Sequence, residues 1–139
     1  MKDEGWRSGV TSLSLPAHPA AVRRARTFAR DCCLNAGVTT EVTDTVVLLI
    51  SEAVTNAFVH GRSDARLRIT VTGSDVLVEV GDDNSRHPRR VTQDDDALDG
   101  RGMLLMVALA RHWGVRDEVL GKTVWFEVAR VPASSAGMG

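Results

Sequence analysis

A two-layer α/β sandwich of the α+β kind, with a mixed, largely antiparallel sheet and helices on one face, is the fold class this sequence predicts. Three observations carry it. Residues 19–36 and 40–60 place apolar side chains at helical spacing; residues 67–72 and 76–80 instead alternate with a period of two. In each alternating segment one face is apolar and the other mostly polar, which describes an antiparallel sheet covered on one side only.

The elements follow in order. Residues 10–15 alternate as a short strand that Pro16 stops. The helix of residues 19–36 repeats through Val22, Ala25, Ala29 and Cys33, and Gly37 ends it. Thr39 or Thr40 caps the next helix, with Glu41 in its first turn; it is expected to reach His60, with Gly61 as its stop. Gly73-Ser74 is a two-residue hairpin turn between the alternating strands. Residues 83–100 lose all periodicity and carry Arg86, Arg89 and Arg90 before the acidic run Asp94–Asp96. A connection of that length is either a functional lid or disorder. A helix from Gly102 to His112 follows, and residues 121–128 close the domain as a strand. Within this scheme Leu77 and Trp125 fall on the sheet face away from the helices. Exposed there, they suggest a contact surface for a partner or for a second copy in a homodimer.

Length and charge bound the function. The 139 residues fit one domain, expected over residues 10–131, with flexible ends at 1–9 and 132–139. Seventeen basic against eighteen acidic residues give a net charge of -1, without the basic excess of a nucleic-acid binder. No apolar run approaches a membrane span, which needs roughly 18 residues or more, and no signal segment follows Met1, so the expectation is a cytoplasmic protein. Cys32 and Cys33 are adjacent in a helix and point about 100° apart, which suits neither a disulfide framework nor zinc; both are expected to be reduced packing residues.

Several familiar motifs fail. Gly121-Lys122-Thr123 imitates the end of a P-loop, yet the glycine required five positions earlier is Arg116 and a strand follows. Gly100-Arg101-Gly102 imitates a dinucleotide fingerprint, but Leu105 holds the third glycine position and no strand precedes it. His18, His60, His87 and His112 lack ligand spacing.

What survives centres on Glu52 and Asn56. Four residues apart in a helix, they stand about 40° apart on one face, separate from the stripe Val42, Val46, Ile50, Ala53 and Ala57. Such a pair is an ordinary solvated helix face in most proteins. It also suits a magnesium-bound phosphate: the amide offers a hard oxygen without a second negative charge, and the carboxylate can orient a nucleophile or take its proton. Asp82, at the end of a strand, can accept a hydrogen bond from an exocyclic amine such as adenine's, or simply begin a turn. Gly100 and Gly102 let backbone N–H groups approach phosphate at a helix start. Thr123 offers a hydroxyl to a base-binding network, or merely suits a strand.

In this order, the segments SEAVTNAFVHG, GRGMLLM and GKTVWFEV resemble the GHKL ATPase superfamily over residues 10–130, and within it the stand-alone anti-sigma-factor serine kinases and their actinobacterial relatives. The resemblance implies the Bergerat-type ATP-binding fold. It further implies Glu52 as the general base toward a serine hydroxyl and Asn56 as the ligand of Mg2+ bridging the ATP phosphates. Asp82 and Thr123 would bind adenine, and Gly100 and Gly102, with Arg101, Met103 and Leu104 in the same segment, would meet the phosphates after the lid. One box departs: the usual Asp-x-Gly-x-Gly is Asp82-Asp83-Asn84-Ser85-Arg86 here, which alters the lid hinge, since Asn tolerates positive φ and Arg does so less readily.

The activity implied is ATP-dependent serine/threonine phosphorylation of an anti-anti-sigma antagonist by a protein that also sequesters a sigma factor, without direct contact to nucleic acid or membrane. Two alternatives stand beside it. One is a module of the same fold that sequesters its partner without turnover; the other is a detached histidine-kinase ATPase domain that transfers to histidine.

Overall fold

The computed structural model describes residues 9–57, 64–82, 100–119 and 121–130. Within them the chain order is β1 (Gly9–Leu15), α1 (Ala20–Asn35), α2 (Thr40–Asn56), β2 (Ala65–Val71), β3 (Asp75–Asp82), α3 (Gly100–Leu109), β4 (His112–Glu118) and β5 (Gly121–Ala129). The expected flexible ends and the charged segment with Asn84, Arg86, Arg89, Arg90 and Asp94–Asp96 lie outside the described residues, as do His60 and Gly61.

Helix ends follow local chemistry. At the start of α1, Pro19 provides no side-chain cap, and the Ala20 N–H donates instead to His18 Nδ1 at 3.0 Å. Its far end is a Schellman turn: Gly37 sits at φ 86°, its N–H donates to the Leu34 carbonyl at 3.0 Å, and the Val38 N–H donates to the Cys33 carbonyl at 2.9 Å. Thr39 then caps α2, its Oγ1 accepting from the Val42 N–H at 3.3 Å.

The sheet runs β1-β2-β3-β5-β4, and its four ladders are all antiparallel. Leu67, Ile69, Val71, Val76, Val78, Val80, Val124, Phe126 and Val128 form the covered face. α1 lies over β1 and β2 through the small row Ala21, Ala25, Ala29 and Cys33, and packs along α2. α2 reaches β3, β5 and α3. Its burial is therefore wider than a single stripe, taking in Val47, Leu49 and Val54 besides Val42, Val46, Ile50 and Ala53. Burying one such side chain contributes about 1.5–3 kcal/mol, so this central helix anchors the two layers.

The end of the domain corrects the sequence reading. The helix expected over residues 102–112 is α3, ending at Leu109, and His112 already begins a strand. β4 pairs with β5 from His112↔Glu127 to Glu118↔Gly121, a hairpin joined by two residues. Apolar alternation did not announce it because β4 is an edge strand whose Arg116, Asp117 and Glu118 are exposed, as charged edge residues usually are.

The open face is also less bare than expected. Trp125 and Leu77 do lie opposite the helices, but both are half-buried. The Trp125 indole covers Gly114 on the neighbouring strand, so part of its apolar surface is spent within the chain.

Candidate functional site

α2 packs against α3, β3 and β5, and β3 ends beside the start of β5. Asn56 closes α2, Asp82 closes β3, and Gly100–Met103 open α3.

Asn56 is the most informative of them. It is 5% exposed, and its Nδ2 has no hydrogen-bond partner among the described residues. A buried donor left without a partner costs about 1–3 kcal/mol, so a ligand atom that accepts from Nδ2 would be favoured here. Glu52, one turn earlier and about 6 Å along the axis, is half-buried and reaches the same side. A buried neutral amide and an accessible carboxylate on one helix face is the donor set that a divalent cation with bound phosphates fits.

Asp82 ends β3 and is half-buried. By alternation it continues the covered row of Val76, Val78 and Val80. Beside it Gly121 opens β5 at φ 105°, and a Cβ there would collide with the Asp82 carboxylate and carbonyl, so only glycine lets the strand start this close. Gly100, Arg101, Gly102 and Met103 form the first turn of α3, where free backbone N–H groups and the helix dipole favour an anion. Leu104 follows with its side chain 71% exposed.

Thr123 pairs with Gly81 on the opposite, helix-free face, and its hydroxyl donates to the Glu118 carboxylate. The reason is the period of two: Thr123 is in step with Trp125 and Glu127, not with Val124 and Phe126. Thr123 and Asp82 border one cavity on that open side.

Sequence reasoning missed a second polar cluster on that open face. Arg116 Nη2 donates to Glu79 at 3.0 Å and its Nε to Glu118 at 2.8 Å, while Arg68 stands 3.7 Å from Glu79. Arg116 crosses to Glu79 over the small floor of Gly81 and Thr123, in a cavity of about 380 Å³ that also reaches Ser12, Arg66 and Asp82. Hydrogen bonding to Arg116 holds the Glu118 carboxyl below its ordinary range, and the bonds to Glu118 and Glu79 raise the Arg116 guanidinium. The alternation of Arg66, Arg68 and Glu79 was legible in the sequence; Arg116 was hidden with the unrecognised strand.

Among the described residues no group of three or more His, Cys, Asp or Glu could hold a metal by itself, and no helix is long and apolar enough to cross a membrane.

Comparison with known proteins agrees with this fold. The crystal structure of the RsbU and RsbW domains of Rv1364c from Mycobacterium tuberculosis superposes with a TM-score of 0.68 at 20% identity, over 86% of this chain and 32% of that one. The chain thus spans about a third of the length of that structure, and the likeness establishes the fold. No curated protein matches the sequence. The model of the histidine kinase-like ATPase domain matches residues 15–128, and the chain belongs to the histidine kinase-like ATPase family.

Proposed function

We propose that this protein is an ATP-dependent serine/threonine kinase of a sigma-factor pathway, which holds a sigma factor and phosphorylates the small antagonist that would release it. The support for the reading is the position of Asn56, 5% exposed at the end of α2, one turn from the half-buried Glu52 carboxylate. The similarity to a structure that contains an RsbW domain supports the choice of pathway.

In this reading Asn56 presents its amide oxygen to magnesium, and the first turn of α3 meets the phosphates with its backbone N–H groups. Magnesium, when bound, neutralises charge on the phosphate oxygens. Glu52 accepts the proton of the incoming serine hydroxyl as its oxygen bonds to the γ-phosphorus; the bond to the bridging oxygen breaks, and ADP leaves with that electron pair. Asp82 holds the base by accepting from its exocyclic amine.

Transfer of labelled γ-phosphate to a candidate antagonist tests the proposal. Label on serine or threonine, lost with Glu52→Gln while ATP still binds, supports it. Label on histidine, or ATP binding without transfer and indifferent to Glu52→Gln, replaces it by one of the two alternatives.

A further inference from the structure

We infer that Arg23 and Leu48 seat the protein that receives the phosphoryl group: its accepting hydroxyl lies between an apolar side chain packed on Leu48 and a carboxylate paired with Arg23. The inference rests on the kinase reading above and names the surface chemistry of its substrate.

The helix pair places both residues beside Glu52. α2 follows α1 after residues 36–39 and packs back along it. Arg30 Nη1 meets Asp44 Oδ1 at 3.0 Å, which sets the level of one helix against the other. From that pair Arg23 lies about 10 Å back along α1, within about 20° of the direction of Arg30, and Glu52 lies about 12 Å onward along α2. The antiparallel course therefore brings Arg23 to the level of Glu52, across one interhelical distance of about 8–10 Å. Arg23 is exposed and has no ion-pair partner among the described residues. Leu48 stands one turn, about 6 Å, before Glu52 on α2. It is 42% exposed, whereas every other valine, leucine and isoleucine of α2 is buried. A leucine that the core does not use thus flanks the carboxylate on its own helix, and a cation flanks it on the next.

The reaction requires a chain to cross here. A hydroxyl gives its proton to Glu52 only within hydrogen-bond reach, so the polypeptide that carries it passes over α2 at this level. An extended chain advances about 3.3 Å per residue and returns to the same side every second residue, so the side chain over Leu48 is two positions from the acceptor. An aliphatic group there removes Leu48 from water, and a carboxylate toward α1 answers the Arg23 guanidinium. Charge selects a protein over a nucleic acid: the outer side of α2 carries Glu41, Asp44 and Glu52, which repel a phosphate backbone, while Arg23 and Arg26 stand to one side on α1.

Steady-state phosphorylation of the antagonist that the native chain labels, with ATP titrated calorimetrically in parallel, tests this. Arg23→Glu and Leu48→Asp should each raise KM for the antagonist about tenfold or more, by like-charge repulsion and by a charge buried against an apolar group, with kcat and ATP affinity near native. Arg23→Lys, which keeps the cation, should stay within about threefold of native, as expected for an exposed pair. A lysine in place of the acidic residue beside the labelled hydroxyl of the antagonist should restore KM with Arg23→Glu and worsen it with the native chain. An unchanged KM in either variant, at native melting temperature, overturns the inference. A matching fall in ATP affinity with Arg23→Glu also overturns it, since that would place the guanidinium on the nucleotide. Failure of the native chain to label any antagonist overturns the kinase reading itself, a distinct outcome.

Discussion

Trp125 and Gly114 are partners across the β4–β5 ladder: a Cβ on Gly114 would stand 2.9 Å from the indole Nε1 and 3.0 Å from Cε2 and Cζ2. A side chain at this position must displace the ring. Gly114→Val is expected to cost about 1–3 kcal/mol of stability through overpacking. Denaturant unfolding and the shift of the Trp125 indole N–H resonance would measure it; an unmoved resonance would contradict the contact.

Asn56 Nδ2 is buried without a partner among the described residues, so stability and function should part there. Asn56→Leu, close in volume and without polar atoms, is expected to leave the nucleotide-free melting temperature unchanged or raised. The same variant should lose the stabilisation that ATP and magnesium give the native chain. Thermal melts with and without nucleotide check both halves.

Glu118 is held in its ionised form chiefly by the hydrogen bond from Arg116. Its folded pKa lies below the unfolded value, so its contribution is present above the unfolded carboxylate pKa and is lost as pH falls through the folded one. Carbon-detected titration of the Glu118 carboxyl should show a low midpoint in the native chain. In Arg116→Ala that midpoint should move up toward the ordinary glutamate range.

Cys33 is fully buried in the row of α1 that faces the core, and burial, with the adjoining Cys32, pushes its thiol up to about 11. The thiolate is the reactive form, so Cys33 should resist alkylation at pH 8 until the chain unfolds. Because the folded pKa exceeds the unfolded one, Cys33's contribution to stability is complete below about pH 9, the ordinary thiol value, and fades as pH rises toward 11. Mass-spectrometric mapping of alkylated peptides against time and denaturant tests the first point, and melts across that pH window the second.

Much of the architecture was legible because local signals agreed with tertiary demands. Gly37 and Thr39 stop and start helices by their own chemistry, and the alternation in residues 67–71 and 76–80 named the covered face before any partner strand was known. β4 gains its strand state from pairing with β5 rather than from an apolar pattern, so the expected helix ran on to His112 and residues 113–118 were assigned to no element. With that strand missing, neither the cover of Trp125 by Gly114 nor the Arg116 ladder could be foreseen. The face of Thr123 was legible only once its register was known: it pairs with Gly81 on the helix-free side. Glu52 and Asn56 were found because a helical spacing of four fixes a shared face whatever the surroundings.

The central claim, that Asn56 and Asp82 bind ATP through magnesium and the adenine amine, is tested most directly by calorimetric titration of ATP with and without magnesium. The account predicts magnesium-dependent binding to the native chain, a loss of about tenfold or more in Asn56→Leu and in Asp82→Asn, and no magnesium dependence in the Asn56 variant. No binding to the native chain, or equal binding by all three proteins, would contradict it.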